Sequence, residues 1–345
     1  MIIDNLFIGL ITFRRPKGLR RALEGIAALT FETTPPPITV IVVDNDRDGP
    51  MAGLIEEMRL SFPFPITYAV HPEPGIPFAR NRVVAETKGA DGVILFIDDD
   101  EYPEPEWADQ LLAKYRATGA EAILGPVISE FETTPPQWVS EGGFFVPRRF
   151  ADGGVVPFGN TANILIDLKV FKALGLQFDP RLRFTGGEDT LLGMMIHKKG
   201  GRMLWASKAR VHELVPASRV SSRWLVSRKF REGNTYVLSE KLSGCSMIRQ
   251  VSLFLSAVAR VGGGTAVRHG EAGQGHLAYG PRPRHAERFR RSPVRRIQDD
   301  PRIVNLSLEG KKCRENAVRQ RILPAYGHNA VATFRSDTSR GAQQT

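Results

Sequence analysis

The sequence predicts an α/β fold with a mostly parallel central sheet and helices on both of its faces. Nearly continuous aliphatic runs alternate with amphipathic segments over the first two-thirds of the chain. These runs lack the polar alternation of strands that expose one face to water, which is typical of parallel strands covered on both sides. In such sheets ligands bind beyond the carboxyl ends of the strands, so polar residues at those ends are the candidates for function.

The first hundred residues alternate strongly between the two kinds of element. Strands are predicted where the sequence is almost wholly aliphatic, at residues 6–11, 38–43, 66–70 and 92–97. Helices are predicted where apolar residues recur every three or four positions, at residues 17–29, 51–59 and 78–88. Pro- and Gly-containing loops, such as residues 35–37 and 71–77, separate them. This order predicts repeated strand–helix units.

The pattern loosens after residue 107. Helices are predicted at residues 107–118, 168–174 and 191–199, and a basic amphipathic helix at residues 222–239. Strands are predicted at residues 122–129 and 160–166, followed by short ones at 204–206 and 209–212. The sequence Thr185-Gly186-Gly187-Glu188-Asp189 directly precedes the predicted helix at 191–199.

Charge divides the chain into a near-neutral part and a basic part. Residues 1–240 contain 28 Lys and Arg against 30 Asp and Glu, whereas residues 241–345 contain 19 against 7. This distribution disfavours a nucleic-acid-binding core. We expect a folded α/β domain at 1–240 and an amphipathic, membrane-surface segment at 241–261. At residues 262–345 we expect a basic, weakly ordered C-terminal extension, because this arginine-rich sequence lacks a periodic apolar face.

Several features indicate the compartment. The first residues lack the basic region of a secretory signal, and no apolar stretch reaches the ~20 residues of a membrane-spanning helix. Cys245 and Cys313 lie far apart and suggest neither a metal site nor a disulfide framework. We therefore expect a cytoplasmic location, with a peripheral position on the inner face of the cell membrane as a further expectation.

Three consecutive aspartates, Asp98, Asp99 and Asp100, close the predicted strand at 92–97. Adjacent carboxylates repel one another, so a positive partner is expected there, such as a divalent cation that carries a phosphate ligand. The alternative is an acidic helix N-terminus, because Glu101, Glu104 and Glu106 follow and anions are favourable at that end of a helix. The triplet alone leaves both interpretations open.

Two common nucleotide-binding motifs are absent from the sequence. The turn after the first strand reads TFRRPKG at 12–18, with one glycine, so it lacks the Gly-x-Gly-x-x-Gly of dinucleotide-binding folds. No Gly-x-x-x-x-Gly-Lys-Ser/Thr loop occurs either. If the chain binds a nucleotide, it must therefore do so without either of these glycine-rich motifs.

Five motifs in a fixed order resemble family 2 glycosyltransferases of GT-A fold, which are nucleotide-sugar dependent and inverting. The motifs are TFRRP at 12–16, VVDND at 42–46, Gly75 with Ala79-Arg80-Asn81, IDDDE at 97–101 and GGED at 186–189. His212 falls where many members have a metal-binding histidine. The resemblance covers residues 6–240, whereas the C-terminal extension does not share it.

The resemblance implies a role for each matching residue. Donor contacts are implied for Thr12, Arg15, Asp44, Arg80, Asp98 and Asp99. A metal, Mn²⁺ or Mg²⁺, is implied at Asp100 and His212, with Asp189 as general base and Glu188 as a contact to acceptor hydroxyls. The residues themselves leave alternatives open: Asp44 as a turn or cap residue, Glu188 and Asp189 as helix caps, and His212 as a structural histidine.

The resemblance also implies the reaction. A sugar would pass from a nucleoside diphosphate donor, such as a UDP-sugar, to a hydroxyl of a glycan or lipid-linked acceptor. An anionic membrane surface would be a further partner, through the basic C-terminal region, and no specific nucleic-acid partner is expected. Two alternatives remain at this point: a nucleotidyltransferase and a non-catalytic protein that binds nucleotide sugars or glycans.

Overall fold

A computed structural model of the protein describes residues 2–244. The predictions for residues 245–261 and for the basic extension at 262–345 lie outside the described residues. The strands are β1 Leu6–Thr12, β2 Ile38–Asp44, β3 Ile66–Val70, β4 Val93–Ile97, β5 Glu101–Pro103, β6 Ala122–Leu124, β7 Val127–Phe131, β8 Asn163–Asp167, β9 Met203–Trp205 and β10 Val211–Val215.

The helices are distributed along the whole described chain. They are α1 Pro16–Ala27, α2 Ala52–Arg59, α3 Ile76–Glu86, α4 Trp107–Thr118, α5 Gln137–Glu141, α6 Leu168–Ala173, α7 Glu188–Lys198 and α8 Ser222–Leu242. Short 3₁₀ turns occur at Pro180–Leu182 and Ala217–Val220. Within residues 2–244, no helix combines the length and the apolar character that crossing a bilayer requires.

Seven strands form the central sheet, in the order β3-β2-β1-β4-β8-β6-β9. β1 pairs in parallel with both β2 and β4, and β2 pairs in parallel with β3. β8 is antiparallel to its neighbours β4 and β6, and β6 is parallel to β9. The sheet is therefore mostly parallel, as predicted, and β8 is the strand that reverses direction.

Alternating side chains of the buried strands form two hydrophobic cores, one on each face of the sheet. Leu6, Ile8 and Leu10 of β1 belong to the core that also contains residues of α1, α2 and α4. Phe7 of β1 and Ile41 of β2 belong to the core that contains residues of α3, α6 and α7. The prediction of helices on both faces of the sheet is thus confirmed.

A second sheet of three strands follows the aspartate triplet, in the order β5-β10-β7. β10 is antiparallel to β5, which places Glu213 opposite Glu101 and His212 opposite Tyr102. β10 is parallel to β7. The turn between β4 and β5, which consists of Asp98–Asp100, therefore connects the central sheet to the small one.

The predictions differ from the structure in four of its elements or boundaries. The single strand predicted at 122–129 is two strands in different sheets, because Gly125 and Pro126 interrupt the strand between β6 and β7. A Cβ atom at Gly125 would collide with the carbonyl oxygen of Ala209. The short elements β5 and α5 were not predicted, and α7 begins at Glu188, three residues before the predicted start.

Candidate active site

The parallel strands of the central sheet end at one edge and bring polar side chains together there. Thr12 at the end of β1 is paired in register with Asp44 at the end of β2. The Thr12 hydroxyl donates a hydrogen bond to the buried Asp99 carboxylate, with 2.8 Å between Oγ1 and Oδ2. The strand ends and the aspartate turn, defined as Asp98–Asp100, therefore form one site.

Arg15 and Arg219 both bind Asp100 in the aspartate turn. Arg15 donates from Nη1 to Asp99 Oδ1 at 3.0 Å and to Asp100 Oδ2 at 2.9 Å. Arg219 donates from Nη2 to the same Asp100 oxygen at 3.0 Å and from Nη1 to Glu213 Oε1 at 2.7 Å. Charge-assisted bonds of this kind fix the orientation of the carboxylates.

Helix α1 lies directly against the aspartate turn. A Cβ atom at Gly18 would collide with the carbonyl oxygen of Asp99, so only glycine permits this approach. Arg14, two residues before the start of α1, has a left-handed backbone with φ of 54°, and its Nε donates to Asp46 Oδ2 at 2.5 Å. Arg14 is thus held by Asp46, and Gly18 packs against Asp99. Because Arg15 lies between these two residues, both contacts fix its position.

Arg80 of α3 connects the aspartate turn to helix α7. Its side chain is buried, donates from Nη2 to Asp98 Oδ1 at 3.0 Å, and forms an ion pair with Glu188 through Nη1. The ring of Phe178 lies 5.8 Å from the guanidinium carbon, within the range of a cation–π contact. Arg80 therefore joins two groups that are 90 residues apart in the sequence.

The GGED motif forms the N-terminus of α7. Gly187 is its cap residue, with φ of +90°, a backbone conformation that favours glycine. Glu188 is buried, and its second carboxylate oxygen has no hydrogen-bond partner. Asp189 is partly exposed and accepts a hydrogen bond from the backbone N–H of Thr190. Asp189 can therefore meet a molecule from solution, whereas Glu188 is enclosed beside Arg80.

Burial raises the pKa of several carboxyl groups in this region. The pKa of Asp99 is raised to about 6, mainly by burial, although Arg15 opposes the shift. The pKa of Glu188 is raised to about 7 by burial, against the attraction of Arg80. Burial also raises the pKa values of Asp98, Glu101 and Glu213. These groups therefore hold their protons to higher pH than exposed carboxyl groups do, because burial disfavours the charged form.

Asp44 is completely buried and already has several partners. It accepts hydrogen bonds from the Tyr68 hydroxyl at 2.9 Å, from the Met51 backbone N–H at 3.0 Å and from the Asp46 backbone N–H at 3.2 Å. These bonds hold the turn that leads from β2 to α2, as the turn-residue alternative requires. A contact between Asp44 and a nucleotide base remains a prediction.

His212 does not lie with the aspartates. Its ring stacks on Tyr102, with 5.1 Å between ring centroids, and Nε2 lies 3.1 Å from Oε1 of Glu104. Nδ1 lies 2.9 Å from Oε1 of Glu130. Successive side chains of β10 point to opposite faces, and it is Glu213 that faces Asp100 through Arg219. In this structure His212 therefore contacts Glu104 and Glu130 instead of the aspartate turn, and its pairing with Asp100 as a metal ligand stays a prediction.

The donor atoms at the aspartate turn fit a hard divalent cation chemically, because carboxylate oxygens are the preferred ligands of Mg²⁺ and suit Mn²⁺. Their present arrangement is different. Among residues 2–244, no three His, Cys, Asp or Glu side chains are placed to hold a metal ion. Arg15 and Arg219 neutralise Asp100 instead. A cation at Asp100 would share or replace these guanidinium contacts.

Three residues of the site were not predicted from the sequence. Glu101 is buried and accepts a hydrogen bond from the Asp98 backbone N–H at 3.0 Å. Arg219, in the turn after β10, donates to Asp100 and also to Glu213 of β10. Glu101 belongs to the quoted motif IDDDE, so its position was visible. The roles of Glu213 and Arg219 depend on the pairing of β10 with β5, which no local pattern reveals.

Comparison with known proteins identifies the family. The profile described as Glycosyl transferase family 2 matches residues 7–175. The succinoglycan biosynthesis protein ExoM of Rhizobium meliloti is 36% identical over 251 residues, which cover 72% of this chain and 80% of ExoM. The chain belongs to glycosyltransferase family 2. The resemblance seen in the sequence motifs is thereby confirmed, and the chain is a glycosyltransferase by family.

More distant similarities accompany these matches to family 2. The glucosyl-dolichyl phosphate glucuronosyltransferase of Haloferax volcanii is 25% identical over 240 residues, which cover 64% of this chain and 72% of that protein. The crystal structure of S. aureus TarS 1-349 in complex with UDP superposes with a TM-score of 0.48 and 18% identity. The match covers 61% of this chain and 60% of the TarS chain.

Proposed function

We propose that this family 2 glycosyltransferase moves a sugar from a nucleoside diphosphate donor, a UDP-sugar, to a hydroxyl of a glycan or lipid-linked acceptor, with inversion. The observation that supports it is the chain of contacts from Asp98 through Arg80 to Glu188, which is next to Asp189. These contacts join a carboxylate-rich strand edge to a solvent-accessible carboxylate at a helix N-terminus. A two-substrate transfer needs both parts in one site.

The donor is assigned to the edge of the central sheet. Thr12, Arg15, Asp98 and Asp99 meet there, and the partly exposed Arg15 is suited to a diphosphate because guanidinium groups bind phosphate oxygens in pairs. Asp44 is assigned to the base of the nucleotide by resemblance. Arg80 is buried, so in this proposal it acts on the donor side through Asp98.

A divalent cation, Mn²⁺ or Mg²⁺, would be held by Asp100 with support from Asp98. When bound, it would stabilise the negative charge that develops on the diphosphate as the bond to the sugar breaks. His212 contacts Glu104 and Glu130 on the other face of β10, so its predicted part in binding the cation would require its side chain to leave them.

Asp189 is assigned as the general base. Its carboxylate takes the proton of the acceptor hydroxyl while the hydroxyl oxygen attacks the anomeric carbon. The bond between that carbon and the diphosphate oxygen breaks on the opposite side, so the nucleoside diphosphate leaves and the configuration inverts. Glu188 is assigned to a hydroxyl of the acceptor by resemblance; because its unpartnered oxygen is buried, this contact requires the groups that cover Glu188 to move when the acceptor binds.

The relatives support an acceptor in surface glycan assembly. ExoM is named for succinoglycan biosynthesis, and the Haloferax protein for transfer to a glucosyl-dolichyl phosphate. A lipid-linked acceptor and a cytoplasmic position at the inner face of the cell membrane follow as proposals for this chain.

The full chain should be incubated with UDP-sugars, Mn²⁺ or Mg²⁺, and lipid-linked or oligosaccharide acceptors, and the release of UDP should be measured. Asp189→Asn should lower kcat by about 10²–10⁴-fold without weakening UDP binding. Asp179→Asn is the matched control, because Asp179 caps the nearby 3₁₀ turn outside the site. UDP binding with no turnover would indicate a binding protein, and release of pyrophosphate from a nucleoside triphosphate would indicate a nucleotidyltransferase.

A further inference from the structure

Helix α8 is fixed against the body of the protein by one face. Leu225 is buried, and the ring of Trp224 stacks on Phe145. The hydroxyl of Thr235 donates to the carbonyl oxygen of Thr185 at 3.3 Å, and the Ser239 hydroxyl donates to the Gly187 carbonyl oxygen at the same distance. The last two contacts place α8 directly beside the GGED motif.

The opposite face of α8 carries an apolar stripe, defined as Val226, Phe230 and Val237. These side chains are 69%, 79% and 50% exposed. Their spacing of four and seven residues places them on one side of the helix. Gly233 lies between them with open space around it. Large apolar side chains aligned in this way on an exposed helix indicate a surface that meets another apolar phase.

Basic side chains flank the apolar stripe on both sides. At 100° per residue, Arg223 and Lys241 lie roughly 40° from the centre of the stripe in one direction and Lys229 roughly 80° in the other. Arg231 is also exposed. The acidic Glu232 is paired with Arg228 and Lys229. The outward face of α8 is therefore apolar along its centre and cationic at its edges.

We propose that the outward face of α8 is a docking surface for an anionic lipid membrane. Apolar side chains in the centre would enter the lipid interface, while the flanking Arg and Lys side chains would reach the phosphates. A protein partner is disfavoured because three side chains form too small an apolar centre for a stable interface, and because Lys is depleted at such interfaces.

Docking through this face would hold the GGED motif close to the membrane, since α8 contacts Thr185 and Gly187 from its inward side. The docking surface does not depend on the proposed reaction. The two ideas fit together because a lipid-linked acceptor would be presented to Asp189 from the same surface.

Co-sedimentation of the full chain with vesicles tests the proposal. Vesicles of equal parts phosphatidylglycerol and phosphatidylcholine are compared with pure phosphatidylcholine, at low and at high salt. We expect binding to the anionic vesicles, weakening with salt. The double variant Val226→Ser, Phe230→Ser should bind at least about tenfold more weakly, because apolar area is withdrawn from the interface. Phe230→Trp should bind about as tightly as the wild type or more tightly, since tryptophan favours lipid interfaces.

Leu60→Ser is the matched control, because Leu60 at the end of α2 is 88% exposed and distant in sequence from α8. It should bind like the wild type. The basic residues beyond 244 are present in every variant. If they alone caused binding, the double serine variant would bind as tightly as the wild type, and the proposal would be overturned. A stable dimer that the double variant abolishes would instead assign the stripe to a second copy of the chain.

Discussion

The guanidinium of Arg80 forms ion pairs with both Asp98 and Glu188, two carboxylates that belong to different parts of the fold. Arg80 is 5% exposed and Glu188 is 2% exposed, so this contact lies almost entirely out of water. Removing one partner of a buried ion pair leaves the other charge uncompensated, which is more costly than loss of an exposed pair. The contact therefore fixes the aspartate turn and the N-terminus of α7 relative to one another.

The first prediction concerns Arg80. Arg80→Met should lower the free energy of unfolding by about 3–5 kcal/mol and reduce kcat at least about 100-fold, because both carboxylates lose their shared cation. Urea denaturation and turnover measure the two effects. Arg80→Lys keeps the charge and should recover part of each. A methionine variant with the kcat of the wild type would contradict the role of Arg80 in joining the two parts of the site.

The second prediction concerns the pH dependence of activity. The pKa of Glu188 is about 7, because burial outweighs the attraction of Arg80. If the ionised carboxylate binds the acceptor hydroxyl, kcat/KM should rise as the pH increases through about 7. In Arg80→Lys the shorter ammonium side chain should attract the Glu188 carboxylate less strongly. The pKa of Glu188 should then increase, and the rise in kcat/KM should move to higher pH. Glu188→Gln should remove it, and a rise that persists in the glutamine variant would assign it to another group.

The third prediction concerns stability against pH. Asp99 has a pKa of about 6 in the folded protein against an ordinary value of 3.8, so between these values the folded state holds more protons than the unfolded state. The stabilisation is complete below about pH 4 and is lost as the pH rises through 6. For Asp99 the full loss is about 3 kcal/mol, of which about 2 kcal/mol falls between pH 4.5 and 8. Urea denaturation from pH 4.5 to 8 should show the decline, and Asp99→Asn should make it shallower.

The fourth prediction compares two adjacent glycines. Gly186 and Gly187 both have positive φ, of 74° and 90°, but their surroundings differ. A Cβ atom at Gly187 would collide with the methyl group of Thr235, whereas nothing lies within 4 Å at Gly186. Gly186→Ala should cost about 1 kcal/mol of unfolding free energy, from backbone strain alone. Gly187→Ala should cost about 2–4 kcal/mol and displace α8. Equal costs would contradict the close packing of α8 on this turn.

The fifth prediction concerns the cation at Asp100. Arg219→Gln removes a guanidinium that now neutralises Asp100 and Glu213, so Mn²⁺ alone should bind about 3–10-fold more tightly to this variant. Isothermal titration with MnCl₂, in the absence of nucleotide, measures the change. Arg183→Gln is the control, because Arg183 is paired with Glu73 away from the aspartates. Unchanged or weaker binding in Arg219→Gln would argue against a metal at Asp100.

Much of the central sheet could be predicted from the sequence because its buried strands are continuous aliphatic runs. The strand at Ile66–Val70 and the helix at Trp107–Thr118 have the predicted bounds. The break between β6 and β7 was missed although Gly125 and Pro126 mark it, because the residues on both sides are aliphatic. The strand β5 has three residues, too few to show a period.

The candidate site was predictable where a motif lies at a strand end or a helix start, as with Asp98–Asp100 and Glu188. It was not predictable where a side chain's direction depends on strand pairing. His212 and Glu213 are neighbours, and only the register of β10 on β5 decides which of them faces Asp100. Arg80 was expected near the nucleotide or the diphosphate. Its contact with Glu188 depends on the packing of α3 against the 3₁₀ turn at Pro180–Leu182, which precedes α7 in the sequence.

The Arg80–Glu188 ion pair also limits how this enzyme can be recombined with its relatives. A chimera joined between α5 and β8 would take the proposed donor-binding part from one parent and the proposed acceptor-binding part from the other. Arg80 would then come from the first parent and Glu188 from the second. Such hybrids should fold and turn over only when both parents supply this complementary pair, so acceptor specificity is exchangeable as a block only among proteins that share it.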